Sequence, residues 1–209
     1  METVLFQDRA DATHQLIRQI PACDPRTTIV LGIPRGGVPM AAQIADAFRL
    51  PMDMLLIRKL TTPENPEYAI GAVSLQGQWV DEPGNFSETQ LTQWIEAARQ
   101  VLRARDRLYR DNRPFPEIKQ KTVLLVDDGI ATGRTLLHAI QWIRSQQPKA
   151  IWVVVPVCSR EAAGRITPLV EQFICLHQPA PFIGVGRFYR SFPSVTDAEV
   201  IGTMSSAVN

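Results

Sequence analysis

Two adjacent carboxylates followed by a turn of small and hydroxyl-bearing residues carry the clearest chemical meaning in the sequence. Asp127 and Asp128 follow the apolar run 123–126, and residues 129–135 (GIATGRT) lead into a stretch with helical spacing. The N–H groups at a helix start bind anions, whereas paired carboxylates accept hydroxyl groups or face a divalent cation. One ligand would satisfy both halves: a phosphorylated sugar, with its phosphate on the turn and its vicinal hydroxyls and Mg²⁺ near the acids.

Arg134 strengthens this interpretation. A cation in the first turn of a helix opposes the macrodipole by about 0.3–1 kcal/mol, and a bound phosphate would remove the conflict. The segment is not a Walker A loop, because Gly129 and Gly133 are four apart rather than five and Arg134 stands in the place of the lysine. The alternative is an ordinary strand-to-helix turn in which the aspartates serve only as caps.

Residues 123–136 closely resemble the phosphoribosyl pyrophosphate (PRPP) motif of type I phosphoribosyltransferases. The resemblance implies an enzyme that transfers ribose 5-phosphate from Mg²⁺-bound PRPP to a nitrogenous acceptor and releases pyrophosphate. It implies that Asp127 and Asp128 are catalytic residues that hold the ribose hydroxyls and contact the metal indirectly, through PRPP. It also implies a cradle for the 5-phosphate made of Ala131, Thr132, Gly133, Arg134 and Thr135.

A second segment, Pro34-Arg35-Gly36-Gly37, follows a predicted strand and is similar to the pyrophosphate loop of the family. The resemblance implies that Arg35, Gly36 and Gly37 bind pyrophosphate, and it predicts a non-proline cis peptide within residues 34–36. Glycines permit such geometry and allow an anion to approach closely. Taken alone, the segment could be any tight turn.

Arg58 and Lys59 form a third segment, at the end of an apolar run. They resemble the cation pair that several family members direct at pyrophosphate, which implies that both residues receive the leaving group and that Lys59 is catalytic. The alternative is a solvated strand end.

The resemblance extends beyond the core at residues 25–160. Residues 58–73 and 188–200 are similar to a bacterial group of predicted phosphoribosyltransferases without an assigned acceptor. In the family a hood made by the chain ends covers the acceptor, which implies that residues 1–22 and 178–203 form the hood here.

Ala131 disfavours 6-oxopurines as acceptors, because family members that act on those bases usually place an aspartate at this position. In the hood, the aromatic residues that could stack on the acceptor are Phe182, Phe188, Tyr189 and Phe192. For most of these rings the alternative is that they pack the hood onto the core. Glu67 and Tyr68 lie in a loop that could close over PRPP.

The elements that must position these residues follow from apolar periodicity. Continuous apolar strands that alternate with helices indicate a parallel sheet of about five strands with helices on both faces. We therefore predict an α/β fold of the type I phosphoribosyltransferase kind, as one domain with a core at about 25–177 and a small hood. The predicted strands are 28–33, 52–57, 123–126, 151–157 and 172–176, and the predicted helices are 7–20, 38–48, 87–110, 135–145 and 160–170.

Two further segments carry local predictions. Residues 60–85 are long for a plain connection and are predicted to contain a β-hairpin and a loop. Ser87 and Gln90 have the spacing of a capping box at the start of the helix 87–110. One side of that helix carries Arg99, Arg103, Arg107 and Arg110, which we interpret as its solvent-facing side.

Composition excludes several functions for the 209-residue chain. Twenty-two Lys and Arg against 21 Asp and Glu leave a formal charge of +1, which argues against a broad basic face for nucleic acid. The sequence has no apolar run of ~18 residues and no secretion signal, so neither a membrane nor export is expected. Three spaced cysteines and three isolated histidines favour reduced thiols and disfavour a zinc site.

The expected compartment is the cytoplasm, and the expected partners are PRPP, pyrophosphate and a small-molecule acceptor. Family analogy adds a homodimer. Two alternatives to the transferase remain: a PRPP- or nucleotide-sensing regulatory protein without turnover, and a hydrolase that uses water in place of the acceptor.

Overall fold

Strands and helices alternate along most of the chain. The computed structural model describes residues 4–80 and 86–206, except for the side chains of residues 66–69 and 79. In chain order the elements are α1 (Arg9–Ile17), β1 (Thr28–Gly32), α2 (Gly37–Phe48), β2 (Met52–Met54), β3 (Ile57–Thr62), β4 (Asn65–Ser74), β5 (Gln78–Val80), α3 (Glu88–Arg110), β6 (Thr122–Val126), α4 (Arg134–Ser145), β7 (Ala150–Val157), α5 (Arg160–Ile166), β8 (Gln172–His177) and α6 (Asp197–Ser206), with 3-10 turns at Thr167–Leu169 and Val185–Phe188.

The central sheet is parallel and five-stranded, in the order β2-β1-β6-β7-β8. Its register places Ile29 opposite Val123 and Val123 opposite Ile151. This confirms the sequence-based prediction of the fold class. The reason is that strands buried on both faces must be apolar throughout, which leaves a continuous apolar run in the sequence.

Alternate residues of the central strands face opposite sides of the sheet and build two apolar layers. Ile29 and Leu31 pack with residues of α4 and α5. Val30, between them, packs with residues of α1 and α2. Helices therefore cover both faces, while the carboxyl ends of all five strands meet at one edge.

A second sheet, antiparallel and in the order β3-β4-β5, lies beside the first. Leu60, Val73 and Leu102 share an apolar cluster that joins it to α3. The predicted hairpin within residues 60–85 is confirmed in β4 and β5, whereas residues 81–85 lie outside the described residues.

The prediction of one strand over 52–57 is wrong beyond Met54. Leu55 still donates its N–H to the carbonyl of Gly32 (3.0 Å), and Ile57 then begins β3 of the second sheet. Residues 54–57 are apolar on both sides of this corner. Hydrophobicity alone therefore carries no signal for the change of sheet.

Helix α3 begins as predicted, with a reciprocal capping box between Ser87 and Gln90. The prediction that Arg110 faces solvent is wrong: its side chain is 2% exposed. It donates to both carboxylate oxygens of Asp53 (2.9 and 2.8 Å) and to Asp106 (2.7 Å). Within the described ranges, no helix combines the length and apolarity that crossing a membrane requires.

Residues near the start of the described chain pair with the segment that precedes α6. The N–H groups of Leu5 and Phe6 donate to the carbonyl of Phe188, and the N–H of Arg190 donates to the carbonyl of Phe6. The ring of Phe6 packs on Tyr189, 5.2 Å between centroids. We call residues 5–9 and 188–193 the terminal layer. A hood that covers an acceptor stays a prediction.

Candidate active site

Asp127 and Asp128 lie at the carboxyl end of the central strand β6. The N–H of Asp128 donates to Oδ1 of Asp127 (2.9 Å). Oδ2 of Asp128 accepts a hydrogen bond from Nε of Arg9 in α1 (2.9 Å) and forms an ion pair with Nη2 of the same arginine (2.8 Å). Each carboxylate thus has one oxygen engaged by the chain. Among the described residues, Oδ2 of Asp127 and Oδ1 of Asp128 have no partner.

The electrostatics of the pair follow from its enclosure. Removal from water, followed by the neighbouring Asp128 carboxylate, raises the pKa of Asp127 well above its ordinary value. Removal from water also raises the pKa of Asp128, and the Arg9 guanidinium counteracts that rise. Two adjacent carboxylates in a partly buried site repel each other. Such a site gains from hydroxyl donors or from a cation.

The loop 33–37 packs directly on the acid pair. The N–H of Ile33 donates to the carbonyl of Val126 (2.9 Å). A Cβ at position 36 would overlap Oδ2 of Asp128, and one at position 37 would overlap the carbonyl oxygen of Val126. Glycine is therefore required at both positions by the close approach of the loop to the acids.

The peptide between Pro34 and Arg35 is cis, which confirms the predicted non-proline cis bond. The guanidinium of Arg35 pairs with Asp197, at the start of α6, across 3.3 Å. Asp197 also accepts a hydrogen bond from the hydroxyl of Tyr109 in α3 (2.6 Å). Asp197 of α6, itself hydrogen-bonded to α3, thus pairs with the cation of the loop.

The turn 129–133 connects the acids to α4. Gly133 is the Ncap residue, with φ +73, and no side chain caps the helix. Two side chains of the next βα unit brace the turn: Ser159 donates to the carbonyl of Ala131 (2.6 Å) and Arg165 to that of Thr132 (2.6 Å). Ala131 and Thr132 are exposed. The turn therefore presents an open, uncapped helix start beside the acids, which is a suitable place for an anion.

The remaining predicted residues lie apart from this centre. Arg58 and Lys59 are exposed on β3 of the second sheet rather than at the end of a buried strand. Neither side chain forms a hydrogen bond or ion pair with another described residue. Glu67 and Tyr68 belong to β4, and their side chains lie outside the described residues.

The aromatic candidates divide by exposure. Phe188 and Tyr189 are buried, and the Tyr189 hydroxyl donates to the carbonyl of Asp128 (2.7 Å). Phe182 is partly exposed and borders a cavity of about 560 Å³ next to the turn. The cavity lining also includes Ile183, 70% exposed. The other lining residues are Ala131, Thr132, Arg134, Ser159, Arg160, Glu161, Arg165, Pro179 and Ala180.

Sequence reasoning missed Arg9, Ser159 and Arg165. Arg9 lies 119 residues from Asp128, and nothing in its own helix distinguishes it from a surface arginine. Ser159 does have a local signal, because a serine before a helix is a typical cap, and it accepts from the N–H of Ala162. Its second bond, to the turn, depends on the pairing of neighbouring strands.

The parallel sheet, the acid pair at its edge and the uncapped turn together define the α/β architecture of the type I phosphoribosyltransferases. The chain belongs to this family: the phosphoribosyl transferase domain model matches residues 5–177.

Individual proteins of similar sequence or structure support this family assignment. The crystal structure of TT1426 from Thermus thermophilus superposes with a TM-score of 0.85 at 33% identity, over 96% of this chain and 98% of TT1426. Two Mycobacterium tuberculosis proteins, Rv0571c of strain H37Rv and MT0597 of strain CDC 1551, are each 33% identical over 208 residues. Their names assign them provisionally to the phosphoribosyl transferases. The alignment covers 97% of this chain but 47% of each relative, so the chain spans about half their length.

Proposed function

We propose that the protein transfers ribose 5-phosphate from Mg²⁺-bound PRPP to a nitrogen of a small acceptor, with release of pyrophosphate. One observation carries the proposal. Two adjacent carboxylates, each with one oxygen left over, lie between a glycine loop and an uncapped helix start. PRPP presents the matching groups in that order: pyrophosphate, a vicinal diol and a 5-phosphate.

The acid pair suits the diol. The free Oδ2 of Asp127 and Oδ1 of Asp128 offer one acceptor to each of two hydroxyl donors. Hydrogen bonds from ribose would compensate carboxylates that water reaches poorly. The same negative charge lies beside C1 of the ribose, where positive charge develops as the bond to pyrophosphate breaks. Charges fixed in advance stabilise such a transition state.

The two anionic ends of PRPP are served by different elements. The 5-phosphate is held by Ala131, Thr132, Gly133, Arg134 and Thr135 at the start of α4. The pyrophosphate is received by Arg35, Gly36 and Gly37. In this proposal Arg58 and Lys59 of β3 are the further cations that would neutralise the leaving pyrophosphate.

The donor set suits Mg²⁺ carried by the substrate. Within the ranges that the structure describes, no cluster of three or more acidic, histidine or cysteine side chains could enclose a metal. Mg²⁺ keeps several waters and is usually bound through one or two carboxylates together with substrate phosphates. Asp127 and Asp128 fit that pattern as indirect partners. When bound, the metal would supply charge neutralisation of the pyrophosphate.

The acceptor enters from the side opposite to the leaving group. The nitrogen lone pair forms the new bond to C1, the C1–O bond breaks, and its electron pair leaves with pyrophosphate. The acceptor nitrogen loses its proton to solvent.

The three cysteines are free, which supports a reducing compartment such as the cytoplasm.

Calorimetric titration of PRPP with and without Mg²⁺ tests the proposal. We expect Mg²⁺-dependent binding that D127N and D128N abolish, and no binding at millimolar PRPP would refute it. An acceptor screen that reads pyrophosphate release then separates the candidate functions. Release that requires an acceptor indicates a transferase, release without one indicates a hydrolase, and tight binding without release indicates a PRPP sensor.

A further inference from the structure

Arg9 is the one cation among the described residues that contacts the acid pair, and it comes from outside the family's motifs. It belongs to α1, whereas the predicted contacts to PRPP come from the strand ends. Its side chain is 13% exposed and that of Asp128 is 16% exposed. Its hydrogen bond and its ion-pair contact both reach the same oxygen, Oδ2, and leave Oδ1 available to a ligand.

Two contacts besides the ion pair fix the guanidinium itself. Nη1 donates to the carbonyl of Pro193 (2.7 Å). The plane stacks on the ring of Phe192, with Cζ 3.7 Å from the centroid. The ring of Phe192 in turn packs on Tyr189, 4.7 Å between centroids, and the Tyr189 hydroxyl holds the backbone carbonyl of Asp128. Asp128 is thus fixed at its side chain and its backbone by the terminal layer.

We propose that Arg9 is a positioning residue for PRPP, which orients Asp128 so that Oδ1 meets a ribose hydroxyl. The proposal rests on the proposed function, because it assigns Arg9 a role in the same site. Arg9 does not touch the reacting atoms and acts through Asp128. The terminal layer then contributes to PRPP recognition as well as to the shape of the molecule.

Geometry explains why another residue would not serve. An arginine presents donors in a planar fork, so it can bond Oδ2, reach the Pro193 carbonyl and stack on an aromatic ring at the same time. A lysine has one ammonium group and cannot make all three contacts. Without the fork, the Asp128 carboxylate can rotate and faces Asp127 without a counter-charge.

The test compares R9Q, R9K and, as a matched control, R26Q. Arg26 also pairs with an aspartate, Asp24, but at the exposed surface. PRPP and pyrophosphate, each with Mg²⁺, are titrated by calorimetry, and the melting temperature of each variant is recorded. Pyrophosphate is the informative probe because it lacks the ribose and contacts the loop at Arg35.

We expect R9Q to weaken PRPP binding about ten- to a hundredfold, as the loss of hydrogen bonds to a charged group implies, and to leave pyrophosphate binding within about twofold. R9K should fall between R9Q and the wild type, and R26Q should bind both ligands normally.

Two results would overturn the inference. In the first, R9Q binds PRPP as the wild type does. In the second, R9Q loses PRPP and pyrophosphate equally, together with a lower melting temperature, which indicates a structural role alone. A wild-type protein that binds no PRPP would refute the proposed function itself, an outcome that the first titration distinguishes from the other two.

Discussion

Among the residues that the structure describes, two arginine–carboxylate clusters are partly or fully buried, and they differ in which carboxylate oxygens they leave without a partner. In the cluster of Arg110, both oxygens of Asp53 are bonded, Asp106 takes a third donor, and a further donor reaches the carbonyl of Pro114. In the cluster of Arg9, each of two adjacent carboxylates keeps an oxygen without a partner among the described residues.

This difference distinguishes the Arg110 cluster, which has a structural role, from the Asp127–Asp128 pair, which is a candidate ligand site. A buried charge is tolerated where it is paired and hydrogen-bonded. Arg110 supplies a counter-charge and hydrogen bonds to both Asp53 and Asp106, so this cluster joins α3 to β2 and needs no ligand. Asp127 and Asp128 lie together with raised pKa values and incomplete partners. Perturbed carboxylates of that kind are typical of positions where a ligand completes the set.

The largest effect on stability is expected at the closed cluster. Replacing Arg110 with leucine leaves two buried carboxylates without a counter-charge and should lower the free energy of unfolding by about 3–5 kcal/mol. Urea denaturation at pH 7 measures it. The control is R107L on the same helix, where the side chain is exposed and a change within about 0.5 kcal/mol is expected. Equal effects of the two variants would contradict this account of the cluster.

The open cluster should respond in the opposite direction. Because the folded-state pKa of Asp127 is raised, its ionised form costs stability at neutral pH, and this cost disappears as the pH falls below the unfolded carboxyl value. D127N should therefore gain about 1 kcal/mol at pH 7, with the gain vanishing at about pH 3, below the ordinary carboxyl value, while PRPP binding is lost. Unfolding curves at both pH values decide it, and a D127N protein less stable than the wild type at pH 7 would disprove it.

Gly36 tests how closely the loop approaches the open cluster. G36A introduces a methyl group where Oδ2 of Asp128 lies, so the carboxylate must move, and PRPP affinity should fall at least tenfold, or about 1.4 kcal/mol. G202A is the control, since a Cβ there meets nothing within 4 Å. Its position within α6 predicts a gain of about 0.5–1 kcal/mol in stability and no change in binding. Normal PRPP affinity in G36A would mean that the acids are not held as described.

The smallest effect is expected at a third arginine–carboxylate pair, Arg144 with Glu171, which has both side chains more than 40% exposed. R144Q should change the free energy of unfolding by less than about 1 kcal/mol, because water and salt screen an exposed pair. The difference should shrink further in 0.5 M salt. A loss comparable to that of R110L would show that burial is not what separates these clusters.

Local sequence was sufficient for most of the fold and for the motif-borne part of the site. The runs at β1, β6 and β7 are apolar because both faces of the sheet are covered, and the positions of the acids and the glycines follow from where those strands end. The corner after Met54 gave no signal, since the residues on both sides of it are equally apolar.

The sequence did not predict the contacts between residues that lie far apart along the chain. In the sequence, Arg110 resembles its exposed neighbours on α3. Only the folding of the chain brings it into contact with Asp53, which lies 57 residues away. Arg9 reaches Asp128 across 119 residues. Periodicity describes which face of a helix is apolar, but it does not identify the partner of a charged residue. The roles assigned to Arg58, Lys59, Glu67 and Tyr68 stay predictions.

The pairing of residues 5–9 with residues 188–193 has a consequence for synthesis on the ribosome. The whole recognised motif, through Thr135, emerges well before Phe192 and Pro193, which hold Arg9 in place. A nascent chain that stops short of these residues has its carboxylates but lacks the contacts that fix Arg9. Contacts between residues far apart in sequence close late in folding. Competence to bind the sugar phosphate is therefore expected only after residues 188–193 have left the ribosome, rather than when the motif first appears.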